Sequence, residues 1–235
     1  MQRIVILGTG TAVGKSYFAQ RLIAALAAAQ TTVDVVGIKP VETGIAPRTK
    51  HRSGPPGRSD ARALELVSRG TPIRPHPLRA FPKAVSPHLA ARLAGARLDV
   101  SKLAHAVTLH GTTLRGWQVI ETAGGAFSPL NAKACNVDLA RALDPSIWVV
   151  VAPDALGVLH DVRATLLAMR AFGREPDYLV LSAARRHDAS VGTNAAELPR
   201  VGLPKPIAVL RRGDDGQKAL APLVRKLLRP RPSRP

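Results

Sequence analysis

Ile4-Val5-Ile6-Leu7 followed by Gly8-Thr9-Gly10-Thr11-Ala12-Val13-Gly14-Lys15-Ser16 decides the fold of this chain. The four apolar residues do not alternate with polar ones, so they read as a buried strand. A glycine-rich turn, Gly-Lys-Ser and a helix-like run from Tyr17 follow. In such a turn the backbone N–H groups point inward, and the helix N-terminus adds partial positive charge. Lys15 can then reach terminal phosphates, and the Ser16 hydroxyl suits Mg²⁺. The usual pattern places four residues between the first Gly and Gly-Lys. Here five separate Gly8 from Gly14, but the strand and helix stand where the mechanism needs them. The stretch therefore predicts a nucleoside triphosphate site.

Working outward, strand-like runs fall at 3–7, 33–38, 117–121, 147–152, 178–182 and 206–210, and helical stretches at 15–29, 59–69, 86–95, 100–115, 156–172 and 215–228. Strands alternating with helices imply parallel pairing through crossovers. The expected class is α/β: a P-loop NTPase three-layer sandwich with a mostly parallel central sheet. One domain should span 1–228, with 229–235 a disordered basic, proline-rich tail. The segment 45–57 reads as an exposed loop, and 71–87, with five prolines, as irregular. Ligands in such sheets bind beyond the carboxyl ends of the strands. That rule selects 8–16, 39–44, 121–125, 152–157 and 182–186.

Composition narrows the function. The 235 residues suit a single core. No apolar run approaches the roughly 18 residues of a membrane span, and the N-terminus lacks the features of a signal peptide. The single Cys135 leaves no internal disulfide framework and fits a cytoplasmic location. Nothing near it would activate a thiolate. The net charge of +18 invites nucleic acid, a membrane surface or acidic small molecules as partners. However, the arginines are scattered, no recognition motif accompanies them, and aromatics are 3% of the chain, so the charge reads as a solvated surface.

Four positions outside the loop stand out. Lys39, in Lys39-Pro40-Val41-Glu42-Thr43-Gly44, ends the second strand, where an anion would lie. Glu121 ends the third strand-like run before Thr122-Ala123-Gly124-Gly125, the place of a metal-side carboxylate. Asp60 opens a helix and by itself reads as its cap. His88, in Ser86-Pro87-His88, follows a proline at a helix start and by itself reads as structural. No histidine has zinc-site spacing.

Together these separated motifs resemble the dethiobiotin synthetase family over roughly residues 3–185. The resemblance rests on the extended P-loop, Lys39-Pro40-Val41-Glu42-Thr43-Gly44, Ser59-Asp60-Ala61, Ser86-Pro87-His88-Leu89-Ala90-Ala91, Glu121-Thr122-Ala123-Gly124-Gly125 and Leu156-Gly157. It implies that CO₂ adds to one amine of 7,8-diaminononanoate, that ATP phosphorylates the carbamate, and that the second amine closes the ureido ring. It assigns ATP to Thr11, Ala12, Val13, Gly14, Lys15, Ser16, Tyr17, Asp60, Glu121 and Ser182, and Mg²⁺ to Ser16, Asp60 and Glu121. Lys15 and Lys39 become catalytic, and Thr43 and Gly157 meet the substrate. Because the family's substrate tail is contacted by a second subunit at the position of Gly157, a homodimer is implied. The chain departs from the family at Gly10 and Ala12, where the pattern has Asp and Glu, and at Thr122, His160 and Ser182. A partitioning or regulatory P-loop ATPase that dimerises and uses the basic face on DNA is the alternative. Its signature lysine would stand at Gly10, and it gives Lys39 and Ser86-Pro87-His88 no task.

Overall fold

Both faces of the central sheet are buried, and each strand shares its residues between them. In β1 (Gln2–Gly8), Ile4 and Ile6 join one apolar cluster, Val5 and Leu7 the other. In β6 (Ile147–Asp154), Ile147, Val149 and Val151 face the first, and Trp148, Val150 and Ala152 the second. This double burial is why the strands read as unbroken apolar runs.

The structure is a computed structural model describing residues 1–45, 59–183 and 188–229. After β1 come α1 (Lys15–Ala29), β2 (Asp34–Ile38), β3 (Val41–Thr43), α2 (Asp60–Val67), β4 (Arg79–Phe81), α3 (Pro87–Leu93), α4 (Val100–Thr112), β5 (Gly116–Glu121) and α5 (Asn136–Ala142). After β6 come α6 (Val158–Ala171), β7 (Tyr178–Ala183), α7 (Asn194–Arg200), β8 (Ala208–Val209) and α8 (Gln217–Leu228). Six strands form a parallel sheet in the order β2-β5-β1-β6-β7-β8. Leu22, Leu26, Leu64 and Leu223 carry α1, α2 and α8 onto one face. Residues of α3 to α7 cover the other. The three layers and the parallel sheet are as expected. No helix among the described residues is long and apolar enough to cross a membrane.

Some elements differ from the sequence reading. The proline-rich 71–87 contains β4, which pairs with β3 in a separate two-stranded parallel sheet. Helices α5 and α7 were not expected; each has seven residues, too few for a clear period, and α7 contains Pro199. The last strand shrinks to two residues, although Ile207 and Leu210 continue the hydrogen bonding to β7. Most of the loop expected at 45–57, and all of the tail beyond Arg229, lie outside the described residues.

Strand order places the site. Lys39 follows β2, Glu121 ends β5 and the glycine-rich loop follows β1, so three neighbouring strands deliver their ends side by side. At the opposite end of β5, Gly116 has φ +147°, and a Cβ there would stand 2.1 Å from the Asp34 carbonyl oxygen. Gly116→Ala should cost about 2 kcal/mol or more. For a domain of this size that lowers Tm by roughly 4–8 °C, read by thermal denaturation. An unchanged midpoint would contradict this account of the β2–β5 edge.

Candidate active site

The glycine-rich loop is held from three sides. Lys15 is the first residue of α1, only 5% exposed, and its Nζ donates to the Gly10 carbonyl at 2.9 Å. The ammonium lies across Gly8, where a Cβ would stand 2.8 Å from it. Gly14 has φ +92°, and its Cβ would fall 2.2 Å from the Ser182 hydroxyl, so glycine is required. Ser182, fully buried on β7, donates that hydroxyl to the Gly14 carbonyl at 3.3 Å. It braces the loop from beneath. On the far side Gly125 packs against Gly10, with 3.3 Å from its would-be Cβ to the Gly10 Cα.

Glu121 forms the centre. It is 1% exposed, and its Oε1 accepts from the Ser16 hydroxyl at 2.7 Å and from Lys39 Nζ at 2.5 Å. Lys39 Nζ also donates to Asp60 Oδ2 at 3.0 Å. The cluster thus joins the loop, β2, β5 and α2. Burial disfavours the charge on Lys39, but Glu121 and Asp60 outweigh it and hold its pKa above the usual lysine value. Lys15 has no such direct pairing. Burial lowers its pKa to about 8, with Glu121 opposing that shift, Lys39 adding to it and Asp60 opposing it again.

Asp60 does not cap its helix. Ser59 does, accepting from the Arg62 N–H at 3.2 Å, and Asp60 is the first residue inside. Glu42 makes this possible. Its carboxylate accepts from the Asp60 N–H at 2.5 Å, the Ser59 hydroxyl at 2.9 Å and the Ala61 N–H at 3.1 Å. With its backbone so held, Asp60 turns its carboxylate to Lys39.

The donor set suits a magnesium ion that arrives with nucleotide. Glu121 Oε2 is buried without a hydrogen-bond partner beside the Ser16 hydroxyl. Among the described residues no group of three or more His, Cys, Asp or Glu could hold a metal alone. One or two carboxylates, completed by phosphate oxygens and water, is the pattern magnesium takes with nucleotides.

The other expected residues take varied places. Thr11 and Ala12 are exposed on the loop, Ala12 at φ +62°, while Val13 is buried in the core. Thr43 ends β3, half-buried, and Gly157 at φ +94° precedes α6. The Tyr17 hydroxyl shares its one proton between the carbonyls of Arg211, at 2.8 Å, and Asp214, at 3.0 Å. That loop lines a cleft of about 940 Å³ with Asp154, Ala183, Arg212 and Lys218. Tyr17 therefore acts on the cleft through the loop it anchors. His88 pairs with the Ser86 hydroxyl at 3.1 Å. Cys135 reaches Asp138, and burial raises its thiol pKa, as an unreactive cysteine requires. The sequence reading missed Glu42's capping role, His76 (which touches the Lys39 backbone) and the cleft. The glycines Gly213 and Gly216 just past the last strand-like run were the available sign of a turn there, and both have positive φ in the structure.

A family model described as an AAA domain matches residues 2–203. ATP-dependent dethiobiotin synthetases BioD from two strains of Anaeromyxobacter dehalogenans are 32% and 33% identical to the chain, each match covering 89% of it and 90% of the relative. Among solved structures, a chain of the MinC:MinD cell division protein complex of Aquifex aeolicus matches with TM-score 0.53 at 10% identity, covering 100% of this chain and 99% of that one. A ParA family ATPase from Chlorobium tepidum gives 0.50 at 12%, covering 97% and 92%. These two likenesses establish the fold alone.

The value of about 8 for Lys15 sets a pH dependence. Phosphate favours the charged lysine, so above that value binding must take up a proton. Affinity for a non-hydrolysable ATP analogue with Mg²⁺ should hold near neutrality and fall as pH rises through about 8, measured by titration calorimetry. Lys15→Met should bind weakly at every pH, without the alkaline fall. An alkaline fall that persists in Lys15→Met would remove Lys15 as its source.

Proposed function

The chain belongs to the ATP-dependent dethiobiotin synthetase family, and we propose that it closes the ureido ring of dethiobiotin from 7,8-diaminononanoate and CO₂. The observation that carries this reading is the Lys39–Glu121–Asp60 cluster, joined to the glycine-rich loop through Ser16. A phosphate cradle alone would serve any nucleotide protein. A second buried lysine at its mouth, held between two carboxylates, suits a site where a second anion meets the transferred phosphoryl group.

The substrate amine adds CO₂ and loses a proton, giving a carbamate. A carbamate oxygen attacks the γ-phosphorus of ATP, and the bond to ADP breaks. The second amine attacks the carbonyl carbon of the resulting carbamic–phosphoric anhydride, phosphate leaves, and the ring closes. Lys15 and the loop N–H groups neutralise the β- and γ-phosphates, and Lys39 stabilises charge on the oxygens passing between carbamate and phosphorus. Ser16, Asp60 and Glu121 would hold a magnesium ion, which when bound would supply charge neutralisation at the phosphates. Lys39 is bonded to the same two carboxylates, so a magnesium ion taking up their oxygens would leave its ammonium to the reacting oxygens. Thr11 and Thr43 offer hydroxyls to phosphate or carbamate. The N–H groups near Gly157 meet the substrate carboxylate across a homodimer interface. The nucleoside lies toward the cleft beside the 211–214 loop and Ser182. The reading places the enzyme in the cytoplasm.

Phosphate release from ATP, Mg²⁺ and bicarbonate should require the diamine and match dethiobiotin mole for mole. Lys39→Ala and Lys15→Ala should each lower kcat by about a hundredfold or more while circular dichroism at room temperature still shows a folded chain, with a lowered Tm in Lys39→Ala, which leaves Glu121 unpaired. Phosphate release indifferent to the diamine would overturn the ring-closing reading. A normal rate in either variant would overturn the role given to that lysine.

A further inference from the structure

Lys39 is gripped at its backbone as well as at its ammonium. It lies one residue beyond β2, whose last residue, Ile38, pairs with Ile120 of β5. Pro40 follows and has no N–H to donate. The Lys39 N–H instead donates to His76 Nε2 at 2.8 Å. The His76 side chain is 0% exposed, and its Nδ1 lies 3.2 Å from Glu65 Oε1. With Nε2 accepting, the neutral ring carries its proton on Nδ1, directed at that carboxylate. Glu65 is itself held by Arg62 at 3.0 Å and by Arg74. It sits on α2, the helix that begins with Asp60. One helix thus addresses both ends of Lys39: Asp60 meets the ammonium, and Glu65, through His76, fixes the amide.

We propose that His76, oriented by Glu65, is a positioning residue that aims Lys39 at the reacting oxygens. The proposal rests on the ring-closing reading only in giving Lys39 something to act on; the clamp itself is independent of the substrate. Its chemistry needs an uncharged imidazole, because a protonated ring would present N–H to N–H. The surroundings favour the neutral form. Burial lowers the His76 pKa, Glu65 of α2 opposes this, and Arg74 on its own segment and His110 of α4 add to it. The clamp also gives a task to the proline-rich stretch: Arg79 N–H donates to the Pro40 carbonyl at 3.0 Å, so the segment carrying His76 holds both residues that leave β2.

The test compares His76→Gln, which offers a carbonyl oxygen near the position of Nε2, with His76→Leu, which fills the space without an acceptor. Hydrogen–deuterium exchange of peptides spanning β2 and β3 reports the clamp directly, and Pro40 contributes no amide to confuse the Lys39 signal. Exchange at Lys39 should quicken by about tenfold in His76→Leu, the loss of one buried hydrogen bond, and stay near wild type in His76→Gln. In turnover, His76→Leu should lose about tenfold or more in kcat with the KM for ATP little changed, and His76→Gln should recover most of it. Equal impairment in both variants would mark His76 as packing only and overturn the proposal, as would unchanged Lys39 exchange in His76→Leu. If His76→Leu does not fold, Glu65→Ala, which frees the ring, takes its place with the same two expected changes. Wild type without diamine-dependent turnover would defeat the ring-closing reading while the exchange comparison still decides the clamp.

Discussion

A carboxylate that is 1% exposed at the end of a central strand must find positive charge, and Glu121 finds Lys39. Removing one member of such a pair leaves the other buried and unpaired, at a cost of about 3–5 kcal/mol. The pair therefore fixes where the ends of β2 and β5 lie relative to each other. It is possible only because β5 inserts between β1 and β2, so that residues 82 and 105 positions away in sequence reach one oxygen. The same burial that makes the carboxylate demanding makes it useful. In a medium poor in water, the charges it organises act strongly on a phosphoryl group.

The loop obeys a different constraint, which is space. Gly8 yields to Lys15, Gly14 to Ser182, and Gly125 to the backbone of Gly10. Each contact joins the loop to a separate strand end or to its own helix, so the cradle is shaped by packing before any phosphate enters. Ser182 illustrates how this divides labour along the sheet. It stands where the resemblance puts a nucleotide-binding residue, and its buried hydroxyl supports the loop. The 211–214 loop, anchored by Tyr17 and by Arg21 Nε at 2.9 Å from the Asp214 carbonyl, lines the neighbouring cleft, which the proposed reading gives to the nucleoside.

What was legible in the sequence was local or confined to strand ends. The apolar run and the glycines of 4–16 specify strand, turn and helix within one stretch, and Lys39 and Glu121 follow from the rule that ligands meet the carboxyl ends of parallel strands. Asp60 was legible as a residue at a helix start but not as one freed from capping. That depends on Glu42, 18 residues earlier, whose carboxylate reaches the helix only through the fold. His76 was hidden more deeply, 37 residues from the amide it accepts from and within a stretch whose prolines suggest irregular chain. Helices α5 and α7 escaped because seven residues give too few turns for an apolar period to emerge, and they lack the Ser86-Pro87 start that marks the equally short α3.

The departures from the dethiobiotin synthetase pattern can be weighed by the same geometry. Gly10 is not among the residues with positive φ, and a Cβ there would meet only Val13 Cγ1, at 3.6 Å. The backbone does not demand glycine, so the missing acid at Gly10 is a change of charge rather than of shape. Ala12 differs: at φ +62° it holds a conformation that side-chain-bearing residues adopt at some cost. With neither position acidic, Asp60 and Glu121 are the carboxylates left beside the loop in the proposed site, and both are already engaged by Lys39. Glu42 does not redress the balance, because its oxygens are occupied by the start of α2. The mouth of this site is therefore more positive than the related pattern. In the proposed reaction that charge would favour the phosphates and the carbamate, and the attacking amine would meet fewer carboxylates on its way in.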